Sequence, residues 1–463
     1  MKVSILLAAG EGTRMKSNTP KVLHRIAGYP MIGYVLSACR QAGSEKNILI
    51  VGRGGEEIGG MFEGEGNLFR TQPLGDGHPY GTGFAVRQAL DDFDDEDEVL
   101  VITGDTPLIR PESLERLFEA RRRHDDAAMV LSAIVDEPFG YGRILRGEDG
   151  HLTAIVEEKD ASEKERAISE VNSGIFVFRG KDLRHALGKL ETNNTQGELY
   201  LTDVIRILVE EGEKVSAITL RDNDEILGVN SKAQLAQCEA IMRQRINEEH
   251  MADGVIFIDP AHTVVERSVS IGRDTIIYPG AVLQGQTSIG EGCELYGTTR
   301  VVDSVIGDGV KLDNVLVEGS VIEDQTTLGP YAHVRPGSHI GRGVRIGNFV
   351  EVKNAVLGDG AKAGHLAYIG DADVGERVNV GCGVIFVNYD GEKKFRSVVE
   401  DDAFLGSNAN LVAPVHVGER GYVAAGSTIV EDVEADSLAI GRGRQRNIDG
   451  WVTRTKEEKE QTR

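Results

Sequence analysis

Past Gly254 the chain settles into a period of six. Aliphatic residues stand at Ile271, Ile277, Leu283, Ile289, Leu295 and Val301, and again at Leu328, Val334, Ile340, Ile346 and Val352. The register returns at Leu405, Leu411, Val417, Val423 and Ile429. Glycine often follows the aliphatic, as in Ile271-Gly272, Ile289-Gly290, Ile340-Gly341 and Ile346-Gly347. A six-residue period matches neither the 3.6 of an α-helix nor the 2 of a flat sheet. It predicts a parallel β-helix, three hexads to a coil, with the aliphatics stacked inside and glycine at the tight corners. Two-residue slips near 302–305 and 315–317 read as local register adjustments. The polar run 388–395, Asn-Tyr-Asp-Gly-Glu-Lys-Lys-Phe, reads as a loop thrown out of the ladder, where solenoids bind ligands.

The preceding half has a different grammar. Short apolar runs at 5–7, 48–51, 99–102, 129–134 and 175–178 alternate with stretches of helical spacing at 31–42, 82–90 and 111–122. That alternation predicts an α/β domain, Rossmann-like, with a mostly parallel sheet. Between the halves, Leu235, Cys238, Ile241, Met242 and Ile246 fall on one helical stripe. The expected organisation is therefore a first domain over 1–230, a helical linker over 231–251 and a β-helix over 252–463. The acidic stretch 91–98 is expected to be a solvated turn.

The 463 residues carry 51 Lys and Arg against 74 Asp and Glu, a net charge of −23. A field of that sign repels nucleic acid and anionic lipid, so neither is an expected partner, and any phosphate site must supply its own local cations. No apolar run approaches the ~20 residues that span a bilayer. The apolar N-terminal segment leads directly into Gly10-Glu-Gly-Thr-Arg14 and reads as a buried strand, not a signal peptide. Cys39, Cys238, Cys293 and Cys382 are scattered, without a CxxC pair, which suits a reducing cytoplasm.

The first chemical signal is Leu7-Ala8-Ala9-Gly10-Glu-Gly12-Thr-Arg14-Met15 followed by Pro20-Lys21. A glycine-rich turn after a strand, with a guanidinium and an ammonium close behind, makes a phosphate cradle. It lacks the GK[ST] of a Walker loop and the spacing of a dinucleotide fingerprint. This segment resembles the signature of sugar nucleotidyltransferases. Thr103-Gly-Asp105, Gly140-Tyr-Gly142-Arg, Ile155-Val-Glu157, Val171-Asn172-Ser-Gly, Gln196-Gly-Glu-Leu-Tyr-Leu-Thr-Asp203 and Gly228-Val-Asn230 resemble further motifs of the same family. Taken with the hexapeptide half, the chain from about residue 3 to 452 resembles the bifunctional N-acetylglucosamine-1-phosphate uridylyltransferase/glucosamine-1-phosphate N-acetyltransferases.

That resemblance implies a nucleotide-diphospho-sugar transferase domain, then a left-handed β-helix that assembles as a homotrimer. It implies Mg²⁺ held by Asp105 and Asn230, with Arg14 and Lys21 as catalytic groups facing the phosphates. UTP and the UDP-sugar would contact Leu7, Ala8, Ala9, Gly10, Lys21, Gln72, Gly81, Thr82, Thr103, Gly142, Glu157, Asn172 and Asn230. Taken singly, Asp105 also suits a helix cap, and Asn172 or Asn230 a turn. The family pattern joins Gln72 to Gly81 more closely than the stretch 73–80 does here. Phe84 and Thr103 also stand where relatives carry His and Tyr.

In the second half the resemblance makes His365 the general base of acetyl transfer. Arg335, Lys353, Tyr368 and Asn379 would bind glucosamine 1-phosphate. Cys382, Asn388, Tyr389, Lys394, Ser407, Ala425 and Arg442 would line the acetyl-CoA path. Val384 and Phe386 stand where relatives often have Thr. Either a backbone N–H or Asn388 could stabilise the oxyanion. The expected function is two-step synthesis of UDP-N-acetylglucosamine, a cell-wall precursor, from the small-molecule substrates glucosamine 1-phosphate, acetyl-CoA and UTP. Two alternatives stay open at this point: a single nucleotidyltransferase with the β-helix as oligomerisation scaffold, and a regulatory subunit that keeps the fold without the chemistry.

Overall fold

The computed structural model describes residues 1–461 other than 65, 74, 76, 77 and 149. Three positions of the 73–80 stretch therefore lie outside the described residues. The chain divides into two compact units, Met1–Arg243 and Gln244–Arg463.

The first unit is built on β1 (Lys2–Ala8), β2 (Lys46–Val51), β3 (Asn67–Thr71), β4 (Glu98–Thr103), β5 (Ala128–Ile134), β6 (Arg143–Arg146), β7 (Leu152–Val156), β8 (Glu170–Arg179) and β9 (Val215–Thr219). They form one sheet in the order β9-β5-β8-β4-β1-β2-β3, with β6 and β7 a hairpin carried by β8. Of the seven strands in that path, β8 alone runs antiparallel to its neighbours, so the sheet is mostly parallel. Helices Met31–Gln41 and Pro111–His124 pack on one face, and Gly180–Gly188 and Asp203–Glu210 on the other. Side chains alternate across each strand. Val3, Ile5, Ile48, Ile50, Val99 and Val101 enter one core, while Leu6, Leu49, Leu100 and Ile102 enter the other. Burial on both faces is why these strands read as unbroken apolar runs. The helix expected over 82–90 is shorter, Thr82–Arg87, and a separate 3-10 turn covers Leu90–Asp92.

The acidic stretch 91–98 departs from the solvated turn expected of it. Asp92 is buried and takes two bonds from the Arg70 guanidinium, at 2.6 and 2.8 Å. Asp97 is also buried, accepting from the Asp94 N–H and the Met1 amino group, both at 2.8 Å. Glu98 begins β4 and faces Arg121 and Arg122. Partners distant in sequence, which charge counting cannot see, make this burial tolerable.

Helix Lys232–Ala252 is one continuous element, with Cys238, Met242 and Ile246 buried, and the boundary between the units falls inside it. Its last turns belong to the second unit: Asn247, fully buried, donates to the carbonyls of Pro260 and Thr263 at 2.8 and 3.2 Å.

The second unit is a left-handed parallel β-helix. Its strands, two to four residues long, stack into three sheets of 11, 10 and 9 strands, and neighbours within a sheet are mostly three strands apart in sequence. The hexad positions become internal ladders. One runs through Leu283, Val301, Val317, Val334, Val352 and Ile369, all fully buried. Each such aliphatic contributes ~1.5–3 kcal/mol by leaving water.

The register slips are of one residue each, not the two expected, and have a local cause. Some corners hold one residue fewer, so strand starts advance by five instead of six, from Arg300 to Val305 and from Lys311 to Leu316. Asp303 and Asn314 sit at those two corners, and Asn354 and Asp371 at two later ones, all left-handed with φ between 47° and 49°. Asp and Asn tolerate that conformation better than other side chains with a Cβ. The 388–395 run forms a hairpin, with Tyr389 bridging Lys394 and the Phe395 N–H bonded to the Asn388 carbonyl at 2.9 Å. The register advances 17 residues from Lys362 to Asn379 but 25 from Asn379 to Phe404, so the hairpin adds eight.

Candidate active sites

In the first unit the polar residues gather at the C-terminal ends of β1 and β4. The chain leaves β1 through Ala9 and Gly10 and turns at Gly12, whose φ is 62°. A Cβ there would lie 2.8 Å from the Cβ of Lys21, so the glycine lets the lysine cross the loop. Lys21 Nζ then donates to Asp105 Oδ2 and, at 3.2 Å, to Asn230 Oδ1. Arg14 donates to the same Asn230 oxygen at 3.0 Å. Asn230 reaches this point because the Val229 N–H bonds the Asp105 carbonyl at 2.9 Å. Two cations, one carboxylate and one amide oxygen, drawn from positions 14, 21, 105 and 230, thus converge.

A cleft of about 210 Å³ opens beside them, lined by Leu7, Ala8, Ala9, Gly10, Lys21, Gln72, Gly81, Thr82, Thr103 and Asp105. Gln72 is buried in its wall despite the length of the 73–80 stretch, because its N–H continues the strand pairing to the Val51 carbonyl at 2.8 Å. Gly81 takes φ 115°, and a Cβ would sit 2.5 Å from the Leu199 carbonyl oxygen. Only glycine lets the two segments close here. A second cleft of the same size shares Leu7, Thr82 and Thr103 with the first and adds Gly142, Glu157 and Asn172. Burial raises the Glu157 carboxyl above its ordinary range, and the Thr202 hydroxyl donates to it at 3.0 Å. Every residue expected at the uridylyl-transfer site except Arg14 and Asn230 lines one of these clefts, and those two are bonded to each other at their edge.

Asp105 and Asn230 present oxygens to a single cationic nitrogen. A donor set made only of oxygen, already converging on positive charge, fits a hard divalent cation that keeps waters or phosphate oxygens as its other ligands. Among the described residues no group of three or more His, Cys, Asp or Glu forms a larger metal cage.

On the β-helix, Arg335 and Lys353 stand in register on adjacent coils, and Gly370 follows on the next. Arg335 is paired with Glu351 at 2.9 Å. The Lys394 ammonium, returned by the hairpin, lies against Lys353 and lowers the proton affinity of that amine, with Arg335 adding to the effect. Three cations set against the carboxylates of Glu351 and Asp371 leave an excess of positive charge that suits an anion.

His365 ends the strand Lys362–His365 and is exposed, its Nδ1 2.6 Å from Asn348 Oδ1 on the coil before. Tyr368 begins the next strand, which spans only Tyr368–Gly370. The imidazole and the cation cluster stand off opposite ends of this strand, whose own length is about 7 Å at ~3.3 Å per residue. Asn379 lies half-buried on the neighbouring face, paired with Lys362. Cys382, Ser407 and Ala425 continue up the His365 corner on later coils, where the Gly383, Asn408 and Gly426 N–H groups bond successive corner carbonyls. Arg442 closes the row by donating to the Ala425 carbonyl at 2.9 Å. Asn388 is buried, with Nδ2 donating to Asp371 Oδ2 and, at 3.3 Å, to the Tyr368 hydroxyl. Both of its N–H groups are therefore engaged.

Known protein families mark the same two regions. The MobA-like NTP transferase domain matches residues 4–171, and the bacterial transferase hexapeptide (six repeats) matches residues 319–354. The bifunctional protein GlmU of Clostridioides difficile is 48% identical over 461 residues, 99% of each chain. Those of Alkaliphilus metalliredigens and Streptococcus thermophilus are each 46% identical, over 97% of this chain and 98% and 97% of theirs.

This chain belongs to the GlmU family.

Several residues of this GlmU member were given no role from the sequence, although Tyr141, Ser173, Glu198 and Thr202 stand inside the motifs that carry the resemblance. Tyr80 and Glu198 line the first cleft, and burial raises the proton affinity of both. Tyr141, Ser173 and Thr202 line the second. Asn348 and Asp371 hold the two groups on the β-helix. Asn348 lies one coil from His365, and only the coil register reveals their adjacency.

Proposed function

We propose that this GlmU member carries its two reactions at these two places, with roles as follows. On the β-helix, the phosphate of glucosamine 1-phosphate enters the Arg335, Lys353 and Lys394 cluster, relieving the repulsion among the cations. Tyr368 and Asn379 orient the sugar. The 2-amine attacks the thioester carbon of acetyl-CoA while His365 takes its proton, and the tetrahedral intermediate expels CoA as thiol. With the Asn388 N–H groups occupied, a backbone N–H is the better supported oxyanion donor. Cys382, Asn388, Tyr389, Lys394, Ser407, Ala425 and Arg442 line the acetyl-CoA path.

In the first unit, a phosphate oxygen of the product, N-acetylglucosamine 1-phosphate, attacks the α-phosphorus of UTP, and pyrophosphate leaves. Gln72, Gly81, Thr82 and the 7–10 backbone hold the nucleotide, while Gly142, Glu157 and Asn172 hold the acetylated sugar. Arg14 and Lys21 position the phosphates and offset charge that builds in the transition state. Asp105 and Asn230 would hold Mg²⁺, which when bound polarises phosphate oxygens. The observation that carries this reading is the convergence of Arg14, Lys21, Asp105 and Asn230 on one point.

The test is a coupled assay. Glucosamine 1-phosphate with acetyl-CoA should release thiol, and added UTP should then release pyrophosphate. Chelation of divalent cations should stop the second signal and spare the first. If thiol release falls equally on chelation, the metal has been placed in the wrong reaction.

The working assembly is a homotrimer. Val305, Val356 and Val398 are exposed on one face of the β-helix, and Ile385 and Val387 on another. A solenoid covers such flat faces by symmetric packing. Light scattering should give a mass near three times 50.1 kDa, and a monomer mass would refute it. Among the described residues no helix is long and apolar enough to cross a membrane. The four free thiols favour a cytoplasmic setting.

A further inference from the structure

Asp371 has no part in the scheme above, yet it is the most heavily engaged carboxylate beside the acetyl-transfer face. It occupies a shortened corner at φ 48° and is 8% exposed. Its oxygens accept from two primary amides, Asn354 Nδ2 at 2.6 Å on Oδ1 and Asn388 Nδ2 on Oδ2. Its own N–H donates to the Lys353 carbonyl at 3.0 Å, and its carbonyl accepts the Ser397 N–H at 3.1 Å.

The consequence falls on Asn388, at the root of the hairpin. A primary amide has two N–H donors and one carbonyl oxygen. Here both donors are committed, one to Asp371 and one to the Tyr368 hydroxyl, while Oδ1 takes no bond among the described residues. The opposite orientation would set Oδ1 against the Asp371 carboxylate, two acceptors face to face. The carboxylate therefore decides which end of the amide is left for a ligand. Although Asn388 is only 7% exposed, Oδ1 is not one of its buried unpartnered atoms, so solvent reaches it.

We propose that Asp371 is a positioning residue for acetyl transfer, setting the Asn388 amide so that the site meets a carbonyl oxygen. An acceptor suits the N–H groups of the incoming 2-amine and would orient its lone pair toward the thioester; a donor there would compete for that lone pair. This inference rests on the acetyl-transfer reading given above.

Asp371→Asn tests it with little change of shape. The new amide at position 371 can still accept from Asn354 while donating to Asn388, so the hairpin stays pinned and the Asn388 amide turns over. The expected result is a fall of ~10- to 100-fold in kcat/KM for glucosamine 1-phosphate, the scale of a misplaced reacting group. The melting temperature and pyrophosphate release should stay near wild type. Adding Asn388→Asp to Asp371→Asn restores an acceptor facing the sugar and should recover activity. Wild-type kcat/KM in the single variant, a matching loss of melting temperature, or no recovery in the double variant overturns the proposal. Absence of thiol release from the unmodified protein would instead overturn the acetyl-transfer reading itself.

Discussion

Replacement of His365 by alanine is expected to cut thiol release from acetyl-CoA by ~10²- to 10⁴-fold, leaving pyrophosphate release from UTP unchanged. The Asn348 contact supplies the physical reason. An amide oxygen only accepts, so the imidazole nitrogen facing it, Nδ1, carries the proton in the neutral ring. The free lone pair is then on Nε2, and the exposed side chain leaves that nitrogen open to a substrate. The side chain is not part of the internal ladder, so its truncation opens no core cavity. Asn348→Ala should act in the same direction but more weakly, since the ring survives and only its tautomer and aim are released. The comparison to make is thiol and pyrophosphate release from the same preparation. Persistence of both signals in His365→Ala would remove the imidazole from the mechanism.

Asp105→Asn should do the reverse, lowering pyrophosphate release by ~10²- to 10³-fold, the scale seen when a preorganised electrostatic group is lost. Acetyl transfer should be untouched. Lys21 and Asp105 are each only 14% exposed at the side chain, so the pair is well shielded from water. Neutralising the carboxylate leaves the Lys21 ammonium facing two amide oxygens. It also removes the only charged oxygen of the proposed cation site. Raising the Mg²⁺ concentration should therefore restore part of the lost rate in Asp105→Asn but not in Lys21→Ala. Equal rescue of both would mean that Lys21 and Asp105 act through the metal alone, contrary to the separate phosphate role given to the lysine.

The legibility of these features in the sequence followed their range. The six-residue ladder is a local pattern repeated many times, so the β-helix could be read from Ile271 to Ile429 without any knowledge of contacts. The strands of the first unit were visible for a related reason: Val3 and Leu6 enter different cores, and burial on both faces leaves a continuous apolar run. What stayed hidden depended on distant partners. Asp92 looked solvated because Arg70 is 22 residues away, and Asn348 drew no notice because its relation to His365 exists only once the coil closes. Tyr80 carries no pattern of its own and Glu198 stands in the 196–203 motif without a role; the approach of 199 to Gly81 brings both into the cleft. Gln72 illustrates the converse. A longer connection to Gly81 set it apart from the family pattern, but a single backbone bond to Val51 anchors it whatever follows.

The register of the solenoid has a bearing on how such a domain can change. Between Arg335 and Lys353 lies one coil of 18 residues, and between Asn348 and His365 one of 17. A lone deletion is absorbed only at a corner where Asp, Asn or Gly can bend left-handed; within a strand it would turn every later side chain inside out. The spiral thus works as a ruler with graduations ~4.8 Å apart. Reach toward larger or smaller ligands can be adjusted through the hairpin alone, while His365 and the two cations carried on the coils, Arg335 and Lys353, keep their places in the spiral.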